Sequence, residues 1–176
     1  MKKQLIIIPL IIFSIIVLTF FYLLTMERDP SALPSNLLEK NVPNFKTESL
    51  LKSYIFDSSK EFGNEIVLVN FFATWCKPCI DEHAYIKRFA KEKKIRVIGI
   101  NYKDNNKRAI QWLKDLGNPY SNVPLDKNGK IAIDWGVYGI PETFIVSSNG
   151  VIKHRHVGPV TNKIYKKINK IIKEID

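Results

Sequence analysis

The only two cysteines in the chain, Cys76 and Cys79, enclose Lys77 and Pro78 in the stretch Phe71-Phe72-Ala73-Thr74-Trp75-Cys76-Lys77-Pro78-Cys79. Upstream, the β-branched and aromatic run from Ile66 to Phe72 reads as a buried strand. Downstream, Ile80, Ala84, Ile86, Phe89 and Ala90 recur at helical spacing and supply one apolar face. The two thiols therefore lie where a strand ends and a helix begins. Unpaired backbone N–H groups and the macrodipole favour negative charge at a helix N-terminus, so a cysteine there is biased toward thiolate. Pro78 suits the first helical turn, where its missing N–H costs nothing. In this arrangement Cys76, nearer solvent, attacks a disulfide and Cys79, one turn deeper, resolves the mixed disulfide.

A Cys-x-x-Cys pair is also half of a zinc site. Such a site needs a second pair of ligands, and the chain has no other cysteine. Strand, Trp-Cys-x-Pro-Cys, then helix points to thioredoxin-like redox chemistry.

A chain of 176 residues allows one compact domain with a sizeable core. Its net charge of +10 comes from lysines scattered through amphipathic segments, without a stripe of interleaved basic and aromatic residues. This reads as a solvated basic surface suited to acidic partners or anionic headgroups, not as a nucleic-acid interface. Leu5 to Leu24 is uncharged and mainly apolar, long enough to cross a bilayer as a helix. Lys2 and Lys3 precede it, whereas Glu27, Arg28 and Asp29 follow. The positive flank places the N-terminus in the cytoplasm and the rest outside. A cleaved signal peptide is the competing reading. Leu24-Thr25-Met26-Glu27 offers no small-x-small cleavage site, and no cysteine follows for lipid attachment, so an uncleaved anchor is expected. The expected organisation is a cytoplasmic N-terminus at 1–4, an anchor at 5–25, a linker at 26–43 rich in proline and turn formers, and a thioredoxin-like domain at 44–176.

Within that domain, residues 45–62 are irregular and suggest an N-terminal hairpin or edge strands around Ser53-Tyr54-Ile55-Phe56. Strands are expected at Ile66–Phe72, Ile95–Asn101, Val123–Asp126, Glu142–Ser147 and Val151–Val157, the last two joined by a turn at Ser148-Asn149-Gly150. Helices are expected at Asn105–Leu116 and Lys130–Trp135, with a last one capped by Thr161 and buried through Ile164, Ile168, Ile171, Ile172 and Ile175. Strand–helix–strand–helix order implies parallel pairing with right-handed crossovers. Asn70, in the first central strand, stands where a carboxylate could take a proton from the deeper thiol; an amide cannot.

Three stretches together resemble the CcmG/DsbE family, the membrane-anchored thiol–disulfide oxidoreductases of bacterial cytochrome c maturation. They are Asn70–His83 (NFFATWCKPCIDEH), Asn101–Asp104 (NYKD) with Gln111–Tyr120 (QWLKDLGNPY), and Gly136–Phe144 (GVYGIPETF). The likeness runs on through His154-Arg155-His156 and covers nearly the whole soluble part; Lys77, inside the cysteine pair, is its main departure. The resemblance implies an α/β thioredoxin fold, a central mixed sheet flanked by helices, with an N-terminal strand extension, an insertion and one preceding transmembrane helix. It implies a cis-proline at Pro141, which would set Ile140 and Pro141 beside Cys76 and leave the Ile140 backbone free to pair with an extended substrate. Trp75 would be the lid beside Cys76.

The resemblance also brings Glu82 and Glu142 into the active-site surroundings, in place of the buried aspartate of ordinary thioredoxins. From its position alone, Glu82 reads as a solvated helix residue. Near the thiols, either carboxylate would shuttle protons and oppose thiolate formation, against the helix dipole and Lys77, so replacing either by Gln is expected to lower the Cys76 pKa. Functionally, the resemblance implies a periplasmic reductant that needs no cofactor besides the Cys76–Cys79 pair. It would take electrons from a transmembrane thiol reductase and reduce apocytochrome c, or the haem-ligation partner holding it. Two rivals remain: a copper metallochaperone using Cys76, Cys79 and His83, and a thiol peroxidase. His154 and His156 share one strand face and read as structural or surface groups, and Trp112 and Trp135 as packing residues.

Overall fold

The computed structural model describes residues 2–25, 37–93 and 95–175; most of the expected linker, residues 26–36, lies outside the described residues. The chain divides into two units, residues 1–32 and 33–176. In the first, α1 (Lys2–Thr25) is one continuous helix with Pro9 near its start. Its segment Ile7–Thr25 is long and apolar enough to cross a membrane, a property shared by anchors and signal sequences.

The second unit is built on a five-stranded mixed sheet in the order β5-β4-β3-β6-β7. Its strands are β3 (Val67–Phe72), β4 (Arg96–Tyr102), β5 (Leu125–Asp126), β6 (Glu142–Val146) and β7 (Ile152–Val157). β3 pairs in parallel with β4, and β4 with β5, while β3–β6 and β6–β7 are antiparallel. All six residues of β3 are buried, as its apolar run requires of a central strand covered on both faces. A two-stranded hairpin, β1 (Lys46–Glu48) with β2 (Ile55–Asp57), precedes the sheet and ties to β5 through Thr47 Oγ1, which donates to the Leu125 carbonyl at 2.7 Å. The second hairpin strand starts two residues later than Ser53. Asp57 there caps a short helix, α2 (Ser58–Glu61), which periodicity alone does not announce.

Alternation along β3 divides the core in two. Leu68 and Phe72 face α3 (Lys77–Glu92), α4 (Asn106–Leu116) and α6 (Asn162–Ile175), where Ile86, Phe89, Leu113, Ile168 and Ile172 complete one apolar layer. Val67, Val69 and Phe71 face the other way, toward Phe56, Trp135, Phe144 and α5 (Lys130–Asp134). Parallel β3–α3–β4–α4–β5 crossovers of one hand place α3 and α4 on the same face. The Cys76–Cys79 pair belongs to the first layer.

One glycine decides how that layer closes. A Cβ on Gly99 of β4 would lie 2.7 Å from the Tyr120 ring. The missing side chain lets Tyr120 lie flat against the strand, stacked on Phe72 with ring centroids 4.8 Å apart. Gly99→Ala forces the ring out of this slot and should lower unfolding stability by about 1–3 kcal/mol in urea titration; a midpoint equal to wild type would show that the ring relocates at no cost.

Candidate active site

β3 ends at Phe72, and α3 begins five residues later with Cys76 as its N-cap. Cys76 and Cys79 are disulfide-bonded. The Cys79 backbone N–H donates to Cys76 Sγ at 3.2 Å, so the sulfur takes the place an N-capping oxygen would occupy. Both cysteines are almost closed off, with 4% exposure at Cys76 and 2% at Cys79, so exposure does not tell attacker from resolver. Position does. Only Cys76 Sγ sits in front of the free N–H groups of the helix, where a thiolate is stabilised.

The Ile140–Pro141 peptide bond is cis, and the Ile140 carbonyl oxygen lies 3.7 Å from Cys76 Sγ. Ile140 and Pro141 thus stand beside the first cysteine. Trp75 is 56% exposed and its indole N–H donates to the Lys103 carbonyl at 3.1 Å.

Behind the pair, Glu82 is 1% exposed. It follows Cys79 by three residues, so the two share a helix face one turn apart. Both carboxylate oxygens accept hydrogen bonds: Oε1 from Asn70 Nδ2 at 2.7 Å, and Oε2 from the Val160 backbone N–H at 2.8 Å. Asn70 also donates to Thr143 Oγ1 at 3.2 Å and accepts from the Tyr120 hydroxyl at 2.9 Å. Burial pushes the Glu82 carboxyl up to about 7, against the two donors, which favour the ionised form. Helical spacing alone suggested a solvated residue. The structure buries it because its face of α3 packs on β3 and on the turn before α6.

Glu142 lies elsewhere. Along β6, Phe144 and Val146 face the Trp135 layer, while Ile145 faces the cysteine layer. Alternation puts Glu142 with Phe144, on the face opposite the redox pair. Its carboxylate is fully buried and paired with Arg155, Nε to Oε2 at 2.7 Å and Nη2 to Oε1 at 3.0 Å. Oε1 also accepts from the Tyr138 N–H at 2.9 Å and the Gly139 N–H at 3.4 Å. The Arg155 guanidinium lies 4.6 Å from the Tyr138 ring centroid. The expected free carboxylate beside the thiols is therefore a neutralised one that braces the loop before Pro141.

Among the described residues, no group of three or more His, Cys, Asp and Glu is arranged to hold a metal ion. His83 is engaged at the end of α4, with Nε2 2.8 Å from the Gly117 carbonyl and its ring edge-on to Trp112. Burial lowers its pKa. His154 is held down to about 4 by burial, Lys167 and His156. Trp135 is fully buried, and Trp112 stacks on Phe72 at 5.4 Å. Asn70 enters the site as a donor, a role hidden when only its lack of acidity is considered. Tyr120 and Arg155 lie in stretches that carry the family likeness but gave no sign of these contacts, and Val160 carries no local signal.

A mixed sheet, a disulfide at the N-terminus of the helix that follows the central strand and a cis-proline loop against the first sulfur define a thioredoxin-fold thiol–disulfide oxidoreductase. The Redoxin family matches residues 38–171. Thiol:disulfide interchange protein DsbE of Vibrio cholerae is 42% identical over 166 residues, covering 93% of this chain and 90% of that protein. DsbE of Haemophilus influenzae is 43% identical over 168 residues, covering 94% and 92%. Among solved structures, a DsbE-like protein from Chlorobium tepidum shares the fold with a TM-score of 0.69 at 22% identity, covering 82% of this chain and all of that one. The chain belongs to the DsbE family of thiol:disulfide interchange proteins, within the Redoxins.

The raised Glu82 pKa ties stability to pH with a definite sign. Between the ordinary carboxyl value of 4.5 and about 7, the folded protein binds more protons at Glu82 than the unfolded chain does. Stability therefore falls as pH rises through that window, by about 3 kcal/mol at most. Urea unfolding at pH 5 and pH 8 should show this loss in wild type and a smaller one in Glu82→Gln; equal slopes would mean that the carboxyl titrates normally.

Proposed function

We propose that this chain is a reductant held at the outer face of the bacterial inner membrane, reducing the cysteine pair of apocytochrome c, or of the partner presenting it, before haem attachment. The observation that carries the reading is Glu82: a buried carboxyl poised near neutrality, one helical turn behind the resolving cysteine. In the reduced protein the Cys76 thiolate attacks one sulfur of a substrate disulfide, forming a mixed disulfide and releasing the other substrate sulfur as thiolate. Cys79 then gives its proton to Glu82 and attacks Cys76 Sγ. The intramolecular disulfide forms, the second substrate thiolate leaves, and the two electrons now sit on the substrate. A membrane thiol reductase restores the dithiol. Ile140 offers its backbone to an extended substrate, and Pro141 and Trp75 shape the surface that receives it. Glu142, paired with Arg155, holds that loop in place.

Two measurements test this reading. Equilibrated in glutathione or dithiothreitol buffers, the Cys76–Cys79 couple should lie near thioredoxin's about −270 mV or somewhat above; a value near DsbA's about −120 mV would make the protein an oxidant and overturn it. With an oxidised Cys-x-x-Cys-His peptide as substrate, resolution of the mixed disulfide should accelerate with pH around 7 in wild type. Glu82→Gln should lose that inflection and slow by about 100-fold, with Glu142→Gln retaining it.

We further propose that residues 5–25 are an uncleaved anchor with 1–4 in the cytoplasm and 44–176 as the periplasmic domain, supported by Lys2 and Lys3 before the apolar stretch. Of the expected linker 26–43, Glu39 and Val42 already belong to the domain, their N–H groups donating to the Ile152 and Gly150 carbonyls. Protease added to spheroplasts should remove the domain and leave it uncut in sealed inverted vesicles; a soluble form starting near residue 27 would show cleavage instead.

A further inference from the structure

The turn between β4 and α4 reaches across to Thr74 and Trp75, the two residues before Cys76. Lys103, directly after β4, has a left-handed backbone with φ of 43°, unusual for a residue with a side chain. It is held from both sides: its N–H donates to the Asp126 carbonyl at 2.9 Å, and its carbonyl accepts from the Trp75 indole at 3.1 Å. Asp104 follows, and its carboxylate receives four donors. Thr74 N–H reaches Oδ2 at 2.6 Å and the Thr74 hydroxyl reaches Oδ1 at 2.7 Å. Asn101 Nδ2 donates to Oδ2 at 3.0 Å and the Asn105 N–H to Oδ1 at 2.8 Å. Two of the four bonds come from one residue, and that residue stands two before Cys76.

We propose that Asp104 is a positioning residue for disulfide exchange: its carboxylate, seconded by the Lys103 carbonyl, clamps Thr74-Trp75 and so fixes where the Cys76 sulfur and the Trp75 indole meet a substrate. The proposal rests on the reading of Cys76 as the attacking sulfur. Thr74 and Trp75 link the end of β3 to the N-cap of α3, and the Cys76 N–H closes this turn by donating to the Ala73 carbonyl at 3.2 Å. Anchoring Thr74 through both its N–H and its hydroxyl leaves this turn no freedom to slide. The Cys76 sulfur then stays in front of the Cys79 N–H and beside the Ile140 carbonyl as bonds to it form and break. The indole, more than half exposed, would otherwise sample several rotamers; its bond to Lys103 selects one. A carboxylate suits this clamp because it only accepts. An amide at 104 would offer one oxygen and turn an NH2 toward a donor.

The test uses the full-length protein in detergent, reduced and then mixed with an oxidised Cys-x-x-Cys-His peptide, well below the unfolding midpoint of each variant. Cys76→Ser is the baseline; if it exchanges as fast as wild type, the reading of Cys76 fails and the clamp falls with it. Asp104→Asn should lower the second-order rate about tenfold and move the pH midpoint of Cys76 alkylation. Thr74→Val, which loses only the hydroxyl half, should fall about threefold, and Thr74→Ser should restore the rate to within about twofold. Asp104→Asn combined with Thr74→Val should be no slower than Asp104→Asn alone, because both remove the same contact. Wild-type rates and alkylation profiles in folded Asp104→Asn would overturn the proposal, as would rate losses that multiply in the double variant. If Asp104→Asn does not fold, the contrast between Thr74→Val and Thr74→Ser decides it: equal rates overturn the clamp.

Discussion

A carboxyl group cannot stay charged inside an apolar layer unless donors replace the water it has lost. Glu82 sits in such a layer, and much of the surrounding architecture answers that demand. Asn70 in the central strand, the turn before α6 and the Tyr120 hydroxyl all converge on it or on the amide that serves it. Tyr120 reaches its place only because β4 carries Gly99. With two donors the carboxyl is neither the strong acid of a surface glutamate nor locked in the neutral form. Its proton comes and goes near neutral pH.

The sheet keeps this group apart from a second buried carboxylate. Asn70 and Thr143 face each other across β3 and β6 on the cysteine side, while their neighbours Phe71 and Glu142 pair on the other. Glu142 meets Arg155 there, in a pair closed off from water. Removing one partner of such a pair leaves a buried charge unmatched and is costly, so the loop from Tyr138 to Pro141 inherits the rigidity of the pair. Two buried glutamates on opposite faces of one sheet thus do different work. One is held by Asn70 and the Val160 N–H one turn behind Cys79; the other, by accepting two loop N–H groups, holds the backbone before the cis-proline.

The redox pair, its place between strand and helix, and the alternation of strands and helices were legible in the sequence because they rest on local pattern. The boundaries of β3, β4, α4 and β7 agree with that pattern to within a residue. What could not be read is which face of an element meets which neighbour. Periodicity puts Glu82 on the face of Cys79 without saying that this face is buried, and it separates Glu142 from Thr143 without saying which one looks at α3. Asn70 was read for the acidity it lacks, whereas its two N–H groups are what the site uses. Asp104 stood inside a recognised motif, yet only the left-handed turn at Lys103 shows that it reaches Thr74.

One of the two donors to Glu82 is not a side chain. The Val160 N–H belongs to the main chain, so no exchange of one side chain for another at that position deletes it; proline alone would. Asn70 is open to substitution in the ordinary way. The polarity around the buried acid is therefore divided between a part written in the residue at position 70 and a part written in the course of the backbone before α6. Sequence drift can retune the first. The second persists for as long as the fold does.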